Sequence, residues 1–308
     1  MILCLGTTPV YQRSMVFETL DLDGVNRAAA VHDYASGKSV NVARVLWTLN
    51  KSVVATGFVG RGGRGDALLA DLDAAGIRHD FVRVDPPARQ CITAIDRAAG
   101  TATELVEESQ AVGVEAWEAL DQKFAALAGR AHGCVLSGSL PPGAPQDFYA
   151  RCLRRLGPRI PVVLDARGAP LREALKAPGF VAKLNRDELA ATVGATLAAE
   201  GDLRRAMRDV TPAGGAVVVT LGAGGAVAAD ARGAWRIHAP SVRARSAVGS
   251  GDAFAAGTIA RLVGGAPLHE ACALGAACGS ANALTEKAGF LSLGDVESLL
   301  PQVRVETM

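Results

Sequence analysis

The sequence predicts an α/β protein in which a parallel sheet is covered by helices on both faces. Three observations predict it. Short continuous apolar runs recur along the chain, segments with helical spacing separate them, and glycine clusters sit at the junctions between the two.

Residues 1–5 are expected as a short buried strand. Over residues 39–49, Val40, Ala43, Val45, Leu46 and Leu49 recur at helical spacing. Residues 51–59 carry Val53, Val54, Ala55 and Phe58 as a second apolar strand, and residues 66–76 place Leu68, Leu69 and Leu72 on one helix face before a glycine stop. The alternation continues with apolar runs at Cys134-Val135-Leu136, Val162-Val163-Leu164 and Ala216-Val217-Val218-Val219. Runs of that kind suit strands buried on both faces. Helical segments are expected at 114–127, 147–156, 187–193 and 202–210, and an alanine-rich helical third at 252–263 and 268–284. Residues 15–32 and 81–106 break the rhythm with β-type alternation and turn residues, which predicts a small strand subdomain projecting from the main sheet.

Composition narrows the function classes. The 308 residues are 49% hydrophobic and 20% charged, ample for a globular core. The 32 basic and 31 acidic side chains leave a net charge of +1 with no basic block, so neither a nucleic-acid nor a membrane footprint is expected. The six cysteines form no CxxC pair and lie mostly in apolar stretches, as reduced thiols of a cytoplasmic protein do. The N-terminus shows no basic segment ahead of its apolar run, so no signal peptide is expected.

Ser36-Gly37-Lys38-Ser39 imitates the end of a P-loop, but that pattern needs a glycine at the position of His32 and a preceding buried strand. The stronger signal is Gly249-Ser250-Gly251-Asp252, which leads directly into an alanine-rich helix. Free amides and the helix dipole there suit developing phosphoryl charge, and Asp252 in the first turn suits a general base; a glycine turn with an aspartate cap is the bland alternative. Asn185 and Glu188, three apart at a strand-to-helix junction, suit Mg²⁺ shared with substrate phosphates, although the spacing alone favours a capping box. The turn Thr220-Leu221-Gly222-Ala223-Gly224-Gly225 suits a nucleotide phosphate approach or an ordinary hairpin. Ser137 begins a Ser-Gly-Ser-Leu-Pro-Pro-Gly stretch after a buried strand, where ligands of open α/β sheets collect. Arg27, Lys38 and Arg89 are scattered cations, and the five histidines show no metal-ligand spacing.

In this order the motifs resemble the phosphofructokinase-B family of ribokinase-like carbohydrate kinases, in particular its 1-phosphofructokinase and tagatose-6-phosphate kinase group. The likeness rests on residues 36–43 (SGKSVNVA), Gly57–Gly60 with Gly65-Asp66, Arg89, residues 137–143, Lys183–Glu188, 219–226 and 248–257. It implies a ribokinase-like three-layer α/β/α sandwich over residues 1–308 with a small β-sheet lid, its strands drawn from about 11–33 and 81–107. The lid would also clasp a homodimer. The resemblance implies ATP and Mg²⁺ as cofactors and a sugar or sugar phosphate as acceptor. Asp252 would be the base and Gly249, Ser250 and Gly251 the anion hole. Gln12, Gly37, Lys38, Asn41, Arg89 and Ser137 would hold the acceptor, with Arg89 and Lys38 on its phosphate. Lys183, Thr220, Gly222 and Gly225 would lie along ATP, Asn282 near the adenine, and Asn185 and Glu188 would place the metal.

The sequence departs from the family at the position of Gln12, where the family carries an aspartate, at Ser36 and Ser39, and at Asp165-Ala166-Arg167-Gly168. None of these departures touches Asp252. A kinase for an unphosphorylated sugar or a nucleoside, and a non-catalytic sugar or nucleotide sensor, are the alternative readings.

Overall fold

The computed structural model describes all 308 residues. In chain order the strands are β1 (Ile2–Gly6), β2 (Val10–Phe17), β3 (Ala30–Ser36), β4 (Val53–Gly60), β5 (His79–Val84), β6 (Arg89–Asp96), β7 (Thr101–Val106), β8 (Gly133–Ser137), β9 (Val162–Asp165), β10 (Val181–Asn185), β11 (Ala216–Thr220), β12 (Ala226–Asp230), β13 (Gly233–His238) and β14 (Arg304–Thr307). The helices are α1 (Lys38–Thr48), α2 (Gly63–Ala74), α3 (Val114–Ala128), α4 (Phe148–Leu156), α5 (Gly168–Ala174), α6 (Arg186–Val193), α7 (Glu200–Asp209), α8 (Ser250–Leu262), α9 (Leu268–Ala283) and α10 (Leu293–Leu299).

Ten strands form the main sheet in the order β14-β13-β12-β11-β10-β9-β8-β1-β4-β5. From β11 to β5 every neighbour pair is parallel. The strands there are apolar at successive positions because both faces are covered. Ile2 and Cys4 of β1 join one core cluster, Leu3 and Leu5 the other, and each cluster holds 36 buried residues. The first is closed by α1, α2, α8, α9 and α10, the second by α3 to α7, which makes three layers.

The expected parallel sheet is corrected at one edge. β12, β13 and β14 run antiparallel, so the sheet is mixed. The hairpin reading of residues 216–229 holds: β11 and β12 are joined by the glycine turn. Gly225 sits there at φ 84°, and a Cβ would fall 2.0 Å from the Ile237 carbonyl oxygen, so only glycine fits.

The small sheet runs β3-β2-β6-β7. Its expected boundary also needs correction. Phe81–Val84 belong to β5, which pairs in parallel with β4 at the edge of the main sheet, and the lid resumes only at Arg89. Half-buried alternation looks the same on a lid strand and on an edge strand, so period alone cannot separate them.

Candidate active site

The carboxyl ends of the parallel strands and the underside of the lid enclose a cleft of about 720 Å³. Asp252 lies at its floor in the first turn of α8 and is buried. The turn before it is built on Gly249, at φ 83°, where a Cβ would fall 2.8 Å from the Ala288 Cβ. The Ser250 amide already donates to the Ala247 carbonyl at 3.1 Å, and the Val248 carbonyl accepts from Asn282 Nδ2 at 2.9 Å. The Gly251 and Asp252 amides are therefore the orphan donors of α8, pointing its positive end at the cleft. This amends the expected trio: Ser250 contributes no free backbone donor.

Asn41 of α1 donates from Nδ2 to Asp252 Oδ2 at 2.7 Å, and its own Oδ1 accepts from Ser36 Oγ at 2.9 Å. Burial pushes the Asp252 carboxyl up from its ordinary 3.8 to about 6, against the pull of Lys38. The Asp165 charge adds to the rise, and the Asn41 hydrogen bond and Lys183 oppose it. The carboxylate is thus a stronger base than one in water, yet still ionised near neutrality.

Asp165, at the end of β9, is the site residue the sequence reading passed over. It is buried between two ammonium groups, accepting from Lys183 Nζ at 2.5 Å and from Lys38 Nζ. Burial alone would raise its pKa, but Lys183 and Lys38 hold it well below the ordinary carboxylate range. For Lys38, burial works against the charge, yet Asp165, Glu188 and Asp252 together raise its pKa. An aspartate ending the buried run Val162-Val163-Leu164 at a strand's carboxyl end was the available signal.

Several expected positions move. Lys38 does not stand with Arg89: its ammonium lies against Asp165 and 3.4 Å from Glu188 Oε1, drawn there by the two carboxylates. Ser137 does not line the cleft; it is buried, paired to Asp165 in the β8–β9 ladder, with an unpartnered Oγ. Asn282 is fully buried and away from the cleft, spending its amide on Val248, Ser250 Oγ and the Gly289 amide. Lys183 is held by Asp165, although it does reach the cleft wall.

Gln12, Gly37, Asn41 and Arg89 do face the cleft. Gln12 Nε2 donates to Thr93 Oγ1 at 2.9 Å within the lid. Arg89 donates to the carbonyls of Thr8 at 3.1 Å and Glu107 at 3.3 Å, and its Nε is buried without a partner.

The other end of the cleft suits a nucleotide. Thr220, Gly222 and Gly225 line it beside Ala239, Pro240 and Val242, giving backbone-accessible turns next to an apolar slot. Asn185 and Glu188 also line it. They form a complete capping box, Asn185 Oδ1 accepting from the Glu188 amide at 2.8 Å and Glu188 Oε2 from the Asn185 amide at 2.9 Å. The bland capping role is therefore real. It does not use up Glu188, because a carboxylate has about four lone-pair sites. No group of three or more His, Cys, Asp or Glu side chains is placed to hold a metal ion by itself.

The family described as pfkB family carbohydrate kinase matches residues 1–293. The chain belongs to that family. It is a carbohydrate kinase, a phosphotransferase, with the ribokinase-like fold. Phosphofructokinase-2 from Escherichia coli, in complex with substrates and products, is 25% identical over 98% of each chain, with a TM-score of 0.87. A Thermotoga maritima protein described as a possible 1-phosphofructokinase is 23% identical over 100% of this chain and 99% of its own, with a TM-score of 0.90. Arabidopsis thaliana ribokinase, complexed with ribose and ATP, is 17% identical over 97% and 98%, with a TM-score of 0.75, a likeness of fold alone. No helix of this pfkB kinase is long and apolar enough to cross a membrane.

Proposed function

We propose that this kinase transfers the γ-phosphoryl group of ATP to a hydroxyl of a hexose phosphate of the fructose 1-phosphate or tagatose 6-phosphate kind. The observation that carries the reading is Asp252: buried, hydrogen-bonded to Asn41, its pKa lifted to about 6, and placed beside the orphan amides of α8. Asp252 takes the proton of the attacking hydroxyl. Negative charge on the transferred group then meets the Gly251 and Asp252 amides, the helix dipole and the Lys38 ammonium. Thr220, Gly222 and Gly225 hold the nucleotide, while Lys183 keeps Asp165 ionised and Lys38 in place. Asn185 and Glu188 would hold Mg²⁺, which supplies neutralisation of charge on the nucleotide phosphates. Gln12 and Asn41 read the acceptor's hydroxyls, and Arg89 holds its phosphate through the unpartnered Nε.

Escherichia coli phosphofructokinase-2 has been captured with fructose-6-phosphate, which supports a phosphorylated acceptor here. One observation favours a second reading, an unphosphorylated sugar: two Arg89 nitrogens are already given to the Thr8 and Glu107 carbonyls. A nucleoside acceptor would likewise leave Arg89 without a phosphate. We place the enzyme in the cytoplasm, as a homodimer clasped through the lid, where Leu105 and Val31 are exposed. An ADP-release screen over hexoses, hexose phosphates and nucleosides with Mg·ATP tests the reading. Preference for a hexose phosphate supports it, and turnover of none of them points to a sensor.

A further inference from the structure

The loop 285–290, between α9 and α10, touches both the lid and the catalytic turn. On the lid side, Glu286 accepts from Arg97 Nη2 at 2.9 Å and lies 3.4 Å from His32 Nε2. The Ala288 amide donates to the Tyr34 hydroxyl at 3.0 Å, and the Phe290 ring meets Tyr34 edge-on at 5.3 Å. Arg97 follows β6, and His32 and Tyr34 belong to β3, so all four contacts are to the lid.

On the catalytic side the fit is close enough to exclude a methyl group. A Cβ on Gly249 would meet Ala288, and one on Gly289 would fall 2.8 Å from the Asn41 Cα. The Gly289 amide donates to Asn282 Oδ1 at 2.8 Å, and the same side chain holds the Val248 carbonyl and Ser250 Oγ. The loop therefore abuts both groups that place the reaction: Asn41, which orients Asp252, and the turn that presents the α8 amides.

We infer that loop 285–290 is a strut that couples the position of the lid to the alignment of Asp252 and its anion-binding turn, with Glu286 as a positioning residue. Packed contacts of this kind move together, because a close-packed interface deforms little. A lid seated on an acceptor would press the loop home, and a lid held open would let the turn loosen. The inference rests on the proposed kinase reading for its catalytic consequence, though not for the mechanical coupling itself.

Glu286→Gln keeps the side chain's shape and removes its charge. With the acceptor chosen by the ADP-release screen, kcat should fall on the order of tenfold, while the ATP Kd, titrated without acceptor, stays unchanged. Amide hydrogen exchange across residues 247–252 should quicken in this variant. Arg97→Ala, which touches nothing near that turn, should quicken it too. The double variant should be no worse than the more severe single one, the signature of a shared contact. Unchanged exchange at 247–252 in both variants, or fully additive losses, would overturn the strut. If the wild type uses no acceptor, the kinase reading fails while the exchange measurement still decides the coupling.

Discussion

Asn41 Nδ2 donates to Asp252 Oδ2 at 2.7 Å across 211 positions of sequence. The bond stabilises the charged form of a buried carboxylate whose surroundings otherwise favour the neutral form. It joins the first helix of the chain to α8, and so would hold Asp252, the proposed base, in place before any substrate arrives.

The pH dependence follows from that balance. With Asp252 titrating at about 6, kcat/KM should fall on an acid limb as the carboxylate takes up its proton below that value. Asn41→Ala removes a bond that lowers the pKa, so the limb should move to higher pH. A profile from pH 5 to 9 for both proteins checks it. A limb near pH 4 in the wild type would rule out a buried base.

Stability should show the same residue from the other side. A folded-state pKa above the unfolded one means the native state holds the proton more tightly, so Asp252 lowers stability as pH rises from about 4 through 6. A rise from 3.8 to about 6 corresponds to on the order of 3 kcal/mol, an upper bound for the relief in Asp252→Asn at pH 7. Urea midpoints at pH 5 and pH 7 should therefore separate the variant from wild type more at pH 7.

Asp165 should behave oppositely. Lys183→Met leaves a buried carboxylate with Lys38 as its one remaining cation, which should cost about 3 kcal/mol of stability. Because the native pKa of Asp165 is depressed, wild-type stabilisation from it is present above its ordinary value and lost as pH falls below that. Denaturant melts of Lys183→Met and wild type at neutral pH measure the difference; equal midpoints would mean the ion pair contributes nothing.

Glu188 carries two assignments that one titration separates. As a metal residue, Glu188→Gln should raise the Mg²⁺ concentration needed for half-maximal rate. As a cap alone, it should lower stability by about 1 kcal/mol and leave the Mg²⁺ dependence untouched.

Arg89→Ala should impair use of a hexose phosphate far more than use of the free hexose, in kcat as well as KM, because remote binding energy serves positioning. Equal effects on both acceptors would remove Arg89 from the phosphate site.

Much of this was legible in the sequence. The parallel strands announced themselves because alternate residues, such as Ile2 and Leu3, feed opposite cores and leave no polar position between them. The turn at Gly249 through Asp252 was legible as a helix start because its glycines lead directly into an alanine-rich apolar run. The β5 edge strand was not, since the half-buried pattern of Phe81–Val84 also suits a lid strand. Asp165 escaped, and Asn282 was expected near the adenine instead of beneath the turn, for a different reason. Their contacts are made with other elements of the chain, Lys38 in one case and Val248 in the other, and no period records such contacts.

The most direct test of the central claim is the turnover of Asp252→Asn with saturating Mg·ATP and acceptor. The variant should fold and bind ATP like wild type, and its kcat should fall on the order of 10²–10⁴, the usual worth of a general base. Turnover close to that of wild type, in a protein that is demonstrably folded, would contradict the assignment of Asp252 as the base.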